Sequence, residues 1–265
     1  MKLVGREWSE YRRRFWKMPL YCWCFLKCFF LFRKPLEFIS CYMHRSRPAS
    51  GIVTMRNGLR FHLSNHPHDV VTIFVVFVRK DYGVVKQNSV VLDMGANIGI
   101  FSLYAATCGA KRVIALEPSR EAAAVLAENV ADNNLSSVIE IRRLAVNDGK
   151  ELQVSFPVES SVYNKIATSG NTAACDIVPT TTLSSLVNEV GPVDLLKIDI
   201  EGGEYAVFQP GTSDASTYPQ VGEIRMEYHQ GRVNELVQFL GRWGLRLSHH
   251  QEDSDLLGEM WFTRQ

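Results

Sequence analysis

A chain of 265 residues, 46% apolar and with a formal net charge of +1, carries enough apolar surface for one large α/β domain and an extension. A net charge this small excludes a global field that would draw in nucleic acid or an acidic membrane. Beyond an N-terminal group of four, cysteine is sparse, which argues for a reducing, cytoplasmic compartment.

The N-terminal part is locally basic. Arg6, Arg12, Arg13, Arg14, Lys17, Lys27, Arg33 and Lys34 stand there against Glu7, Glu10 and Glu37. Cys22, Cys24, Cys28 and Cys41 lack the paired spacing of a zinc site and read as small apolar residues of a helix. The apolar run Met18–Phe32 is shorter than the roughly 20 residues a bilayer span needs, and Lys27 interrupts it. No small-residue cleavage site follows, so a signal peptide is a poor fit. Two placements suit residues 18–32: a helix lying in a membrane interface, at the inner face of the membrane, or a helix packed on its own domain or on a second subunit of a homo-oligomer.

The chain divides into a basic, aromatic helical extension (1–50), a hairpin and helix leading into the core (51–88), and a main domain (89–265) with an insertion at about 150–180. Asn57-Gly58, between two strand-like runs, predicts a type I′ hairpin turn. Asp69 to Tyr82, rich in β-branched residues, reads as a helix or a strand, the helix favoured because Asp69 can act as its N-cap. From Ser89, strands and helices alternate. "SVVLDMG" is followed by a helix over "NIGIFSLYAATCG", and "RVIALEP" by a helix capped by Ser119. Next come the strand "VIEIRRLAV", a meander of "ELQVSF", "VYNKIAT" and "CDIVPTT", and the helix "TTLSSLVNEV". "VDLLKIDIEGG", "VGEIRMEYH", a helix ended by Gly244 and an antiparallel pair complete the order. Such alternation implies a mostly parallel sheet with right-handed crossovers and an antiparallel last strand.

Chemistry concentrates at strand ends. Asp93, Gly95, Asn97 and Gly99 form a D-x-G-x-N-x-G turn after the first parallel strand, where open α/β sheets bind ligands. Asp93 would repel a pyrophosphate and suits a cationic or zwitterionic ligand. Glu117 ends the next strand, and its two oxygens can accept both hydroxyls of a ribose. Lys197, Asp199 and Glu201 alternate on one face at the end of a strand that is otherwise apolar. Glu227 and His229 lie two apart at the end of a later strand, and His229 has the titration range of a base for a hydroxyl. Asp199, Glu201 and Glu227 are a candidate carboxylate set for a divalent cation such as Mg²⁺. His62, His66 and His68 read as polar loop residues that could face an acceptor.

The turn and the ribose-binding acid resemble a class I methyltransferase that uses S-adenosylmethionine. "DLLKIDIEGGEYAVF", Asp194 to Phe208, narrows the resemblance to the FkbM-type family, together with "VPTTTLSSL" and "EIRMEYH". The resemblance runs from about Phe61 to the C-terminus. It implies a Rossmann-like sheet with an inserted β-meander and an N-terminal helical and hairpin extension. It also implies that Asp93, Gly95, Asn97 and Gly99 line the methionine end of the cofactor and that Glu117 holds the ribose. Ala145, Val146 and Asn147 would contact the adenine, Asp199 would lie beside the reacting methyl, and Tyr82 would form a wall. The implied activity is O-methylation of a sugar, glycan precursor or small metabolite, with catalytic roles for His229, Glu227 and Asp199. Alternatives are a non-catalytic nucleoside- or partner-binding protein, and a nucleic-acid methyltransferase. The last is disfavoured by the absence of a basic face and of an N-P-P-Y-like motif.

Overall fold

The computed structural model describes residues 2–3, 6–157, 175–208 and 220–264. The extension comprises helix α1 (Trp8–Leu31) and helix α2 (Pro35–His44), the latter opened by a proline in its first turn, where no amide is lost. Strands β1 (Ile52–Thr54) and β2 (Arg60–His62) form the expected antiparallel hairpin. Its turn differs from expectation. A type I′ turn needs two residues at positive φ, and in this loop only Gly58 takes one (97°). Met55 and Leu59 instead close a three-residue loop, with the Met55 amide donating to Leu59 O at 2.8 Å.

Helix α3 (Asp69–Ile73) continues as a wider π-helical stretch, Phe74–Arg79. Asp69 is not its N-cap. His68 occupies that position, and the Asp69 carboxylate turns back to accept from Ser64 N and Ser64 Oγ at 2.7 and 2.8 Å.

The main domain follows as β3 (Val90–Met94), α4 (Ile100–Thr107), β4 (Arg112–Leu116), α5 (Arg120–Asp132) and β5 (Ile139–Arg142). Ser119 caps α5 as expected, its Oγ accepting from Ala122 N. α4 starts three residues later than "NIGIFSLYAATCG" suggests, because Gly95, Asn97 and Gly99 all sit at positive φ and keep the chain in a loop. The predicted third strand is split. Leu144 N donates to Arg142 O, a tight i to i+2 turn that ends β5 and sends β6 (Ala145–Val146) to another sheet.

β6 pairs in parallel with β8 (Cys175–Thr181), which pairs antiparallel with β7 (Gln153–Pro157). The predicted strand "VYNKIAT" lies outside the described residues. Helix α6 (Leu183–Val190), capped by Thr182, leads to β9 (Val193–Ile198) and the short helix α7 (Glu204–Val207). Then come β10 (Val221–Tyr228), α8 (Val233–Arg242), β11 (Leu245–Glu252) and β12 (Gly258–Arg264).

The main sheet has the order β11-β12-β10-β9-β3-β4-β5. Five strands, β10 to β5, run parallel, and β12 inserts antiparallel between β10 and β11. This is a Rossmann-like, mostly parallel sheet, and its β9–β3–β4 centre places three strand ends side by side. One continuous apolar core joins Cys24 and Cys28 of α1, and Phe32 just after it, to Phe74 and Phe77 and to Val91, Phe101 and Leu103 of the main domain. Among the described residues no helix is long and apolar enough to cross a membrane.

Candidate active site

The site is built by three turns. The first follows β3. Gly95 takes φ 76°, and a Cβ there would fall on the backbone carbonyl of Asp199, so only glycine lets the turns after β3 and β9 approach this closely. The second follows β4. Glu117 is buried, its Oε2 accepting from Asn97 N at 2.7 Å and its Oε1 from Ser119 N at 2.8 Å. Burial pushes its pKa up to about 7, against the pull of those two amides.

The third turn follows β9. Lys197 and Asp93, neighbours in the β9–β3 register, form an ion pair with Nζ 3.2 Å from Oδ1. Lys197 Nζ also donates to Gly95 O at 2.7 Å and lies 3.9 Å from Asp199 Oδ2. Burial works against the lysine charge, but Asp93 and Asp199 outweigh it and hold the pKa above the ordinary value. Ser102 Oγ donates to the other Asp93 oxygen at 2.6 Å. Asp93 is 0% exposed and does not line the cleft, so it faces Lys197 and Ser102 rather than a ligand.

Beyond β9 the chain reverses through Glu201, at φ 53°, and Gly202. Glu204 is fully buried, and its Oε1 accepts from Gly202 N at 3.1 Å and Ile200 N at 3.3 Å. His229 sits between the two glutamates, Nδ1 3.1 Å from Glu204 Oε1 and Nε2 3.2 Å from Glu201 Oε2. Burial opposes the imidazolium, yet the hydrogen bonds and charges of Glu201 and Glu204 push its pKa up to about 10. Both ring nitrogens then donate at neutral pH, leaving neither to take a substrate proton. This departs from the base expected at His229. Asp199, Glu201 and His229 each bring a possible ligand atom within 4.8 Å of the others, so two of the three carboxylates expected to hold a cation group with His229 rather than with Glu227, and a cation there would have to displace the His229 proton.

These turns open on a cleft of about 490 Å³. Tyr82, Gly95, Asn97, Glu117, Ala145, Val146, Lys197, Asp199, Glu201 and Glu227 line it. Gly99, Asn147 and His229 do not. Gly99 lies against Leu126 of α5, where a side chain would collide. Asn147 is occupied within its own turn, donating to Glu151 O at 2.9 Å and accepting from Gly149 N at 2.9 Å.

Burial, reinforced by Asp199, pushes the Glu227 pKa up to about 8. Burial likewise raises Asp199 against the attraction of Lys197. The three early histidines separate. His66 and His68 line the cleft, whereas His62 Nε2 lies 2.9 Å from Asp132 Oδ2 on α5. Burial and the neighbouring His68 lower the His66 pKa, and His68 N donates to His66 Nδ1 at 3.3 Å, which places the proton of the neutral ring on Nε2. Lys197 is the functional residue hardest to place from sequence, and its only signal was a charge embedded in an apolar strand.

Residues 93–247 match the model of the methyltransferase FkbM domain. The ribosomal protein L11 methyltransferase of Heliobacterium modesticaldum is 30% identical over 128 residues, 48% of this chain and 39% of that protein. Protein arginine N-methyltransferase 1 of Caenorhabditis elegans is 41% identical over 66 residues, 25% of this chain and 19% of that protein. The chain thus spans well under half the length of either relative. Magnesium protoporphyrin IX methyltransferase of Synechocystis, solved with its methyl donor bound, is 11% identical, with a TM-score of 0.44 over 75% of this chain and 79% of that one.

Proposed function

The chain belongs to the FkbM methyltransferase family of class I, S-adenosylmethionine-dependent enzymes, and from that membership we propose that it methylates a hydroxyl of a sugar, a glycan precursor or a small metabolite. The observation that carries the hydroxyl reading is Glu227, a carboxylate in the cleft whose pKa of about 8 lies near the working pH of a general base.

The donor set fits the cofactor. Each Glu117 oxygen already holds one backbone amide and keeps a second lone pair for a ribose hydroxyl. Leu144, Ala145 and Val146 supply an apolar wall for an adenine, and Gly95 and Asn97 bring backbone close to the methionine end. When bound, S-adenosylmethionine supplies a methyl group on a positively charged sulfur. Asp199 and Glu201 make that end of the cleft favourable for a cation, while Lys197 is neutralised by Asp93 below it.

Glu227 accepts the proton of the incoming hydroxyl. His229 acts one step back, as a cation that holds Glu201 and Glu204 and thereby the turn after β9. Tyr82 and Phe101 wall the cleft and exclude water, so alignment carries much of the rate. In this reading the His229 proton competes with any divalent cation for the Asp199, Glu201 and His229 group, and turnover is expected without added metal.

A second reading, methylation of a protein side chain, is favoured by the relatives named for ribosomal protein L11 and for protein arginine. A screen with isotopically labelled methyl donor against sugars, small hydroxyl metabolites and peptides, read by mass, decides between them. Label that is stable to amide-forming conditions and located on oxygen supports the hydroxyl reading; label on nitrogen overturns it.

A further inference from the structure

Helix α1 is apolar on two opposite faces. Tyr21, Cys24, Phe25, Cys28 and Phe32 share one helical face, and that face is packed into the core. Tyr21 and Phe25 lie against Phe74 of the π-helical stretch, with ring centroids 6.4 and 5.9 Å away. The opposite face carries Leu20, Trp23, Leu26 and Phe30, with Trp23 56% and Phe30 73% exposed. Phe29 and, on α2, Leu36 add to the exposed apolar surface. Intramolecular packing accounts for the first face and leaves the second uncovered, beyond the scattered exposed apolar residues of an ordinary surface.

Charge identifies the occupant. From residue 11 to residue 34 the chain holds Arg12, Arg13, Arg14, Lys17, Lys27, Arg33 and Lys34 and no Asp or Glu; Glu10 and Glu37 flank the stretch, Glu37 3.2 Å from Lys34, and leave it a clear cationic excess. Arg56 joins them, its Nε donating to Phe29 O at 2.9 Å at the end of α1. A second copy docked on this face would bring two such cationic segments together. An anionic bilayer surface complements them, and an exposed Trp and Phe beside Lys and Arg suit the depth of lipid headgroups.

We propose that the outward face of α1 docks the protein on an anionic lipid surface. Phe74 packs on α1 while its neighbours Val75 and Val76 line the cleft. One helical element therefore separates the lipid-facing helix from the acceptor space.

The test uses the full chain in co-sedimentation with vesicles of phosphatidylcholine alone and of phosphatidylcholine mixed equally with phosphatidylglycerol. Binding is expected to the mixed vesicles and to weaken with salt. Trp23→Ser with Phe30→Ser lowers it by about tenfold or more. Arg33→Glu with Lys34→Glu removes about tenfold of the preference for the anionic vesicles. All four side chains lie outside the catalytic cleft, and an unchanged thermal midpoint confirms that each variant folds. The proposal is overturned if the native protein stays with the supernatant, or if both variants sediment like it. It is equally overturned if sedimentation velocity shows a dimer that Trp23→Ser with Phe30→Ser dissolves, since the face then belongs to a second copy.

Discussion

Lys197 Nζ lies 3.2 Å from Asp93 Oδ1 and donates to the carbonyl of Gly95 at 2.7 Å. One buried cation thus ties the acid of β3 to the turn that lines the cleft. Replacing Lys197 by Met leaves Asp93 buried without its counter-charge, at a cost of about 3–5 kcal/mol in urea unfolding. Asp93→Asn combined with Lys197→Met recovers most of that loss, because a neutral pair needs no compensation. If the double variant is no more stable than Lys197→Met, the pair is not the reason for the buried lysine.

Gly95→Ala forces a positive φ on a residue with a side chain and drives its Cβ into the Asp199 carbonyl. Strain of this kind costs about 1–3 kcal/mol before the clash is counted. Calorimetry is expected to show S-adenosylmethionine binding weakened by about tenfold or more. Unaltered affinity would mean that the turns after β3 and β9 need not approach each other.

Glu227→Gln is expected to lower kcat by about 10²–10⁴. In the native enzyme kcat/KM should rise with pH through about 8, as the Glu227 carboxyl ionises, and the Gln variant should lack that limb. Stability moves the other way. The folded-state pKa is raised, so Glu227 contributes stability that is complete below about 4.5 and lost as pH rises through about 8. The native thermal midpoint should therefore fall more steeply than that of Glu227→Gln across this window.

His229→Ala removes the cation between Glu201 and Glu204 and should cost on the order of 3 kcal/mol at neutral pH. Because the His229 pKa is raised to about 10, its contribution is complete below about 6.5 and lost as pH rises through about 10. The destabilisation should shrink over that range, while the Glu227 limb in kcat/KM persists but moves to higher pH, since the His229 charge that lowered it is gone. Loss of the limb in His229→Ala would return the base to this residue. A chelator is expected to leave turnover intact, and activity restored only by Mg²⁺ after chelation would reinstate a metal.

The alternation of β3 to β10 with their helices was legible because local signals agree. Apolar strands end in Asp93, Glu117 and Asp199, helices are punctuated by glycine, and Ser119 caps where expected. The failures mark places where a distant partner decides. Asp69 has the chemistry of an N-cap, but Ser64 captures its carboxylate. "VIEIRRLAV" has the pattern of one strand, but the turn at Arg142–Leu144 divides it between two sheets. Spacing could not separate His62 from His66 and His68, since Asp132, seventy residues away, removes His62 from the cleft. The counter-charge of Lys197 stands on another strand, so the lysine had no local explanation. Glu227 and His229 share a strand end, and only the positions of Glu201 and Glu204 show which of them is held between two carboxylates.

The side chain of Asn129 on α5 accepts from His62 N at 2.6 Å and donates to His62 O at 3.0 Å and Ile98 O at 2.8 Å. It clasps the hairpin and the loop after β3 to one helix. The inherited module, residues 93–247, is therefore not a portable one. Its cleft borrows a wall from His66, Val76 and Tyr82 upstream, and its sheet borrows β12 from downstream. A fragment cut at the family boundaries would leave one side of the Asn129 clasp empty and bare the edge of β10, a ready template for aggregation. Transplanting this activity into another scaffold means carrying both borrowed pieces with it.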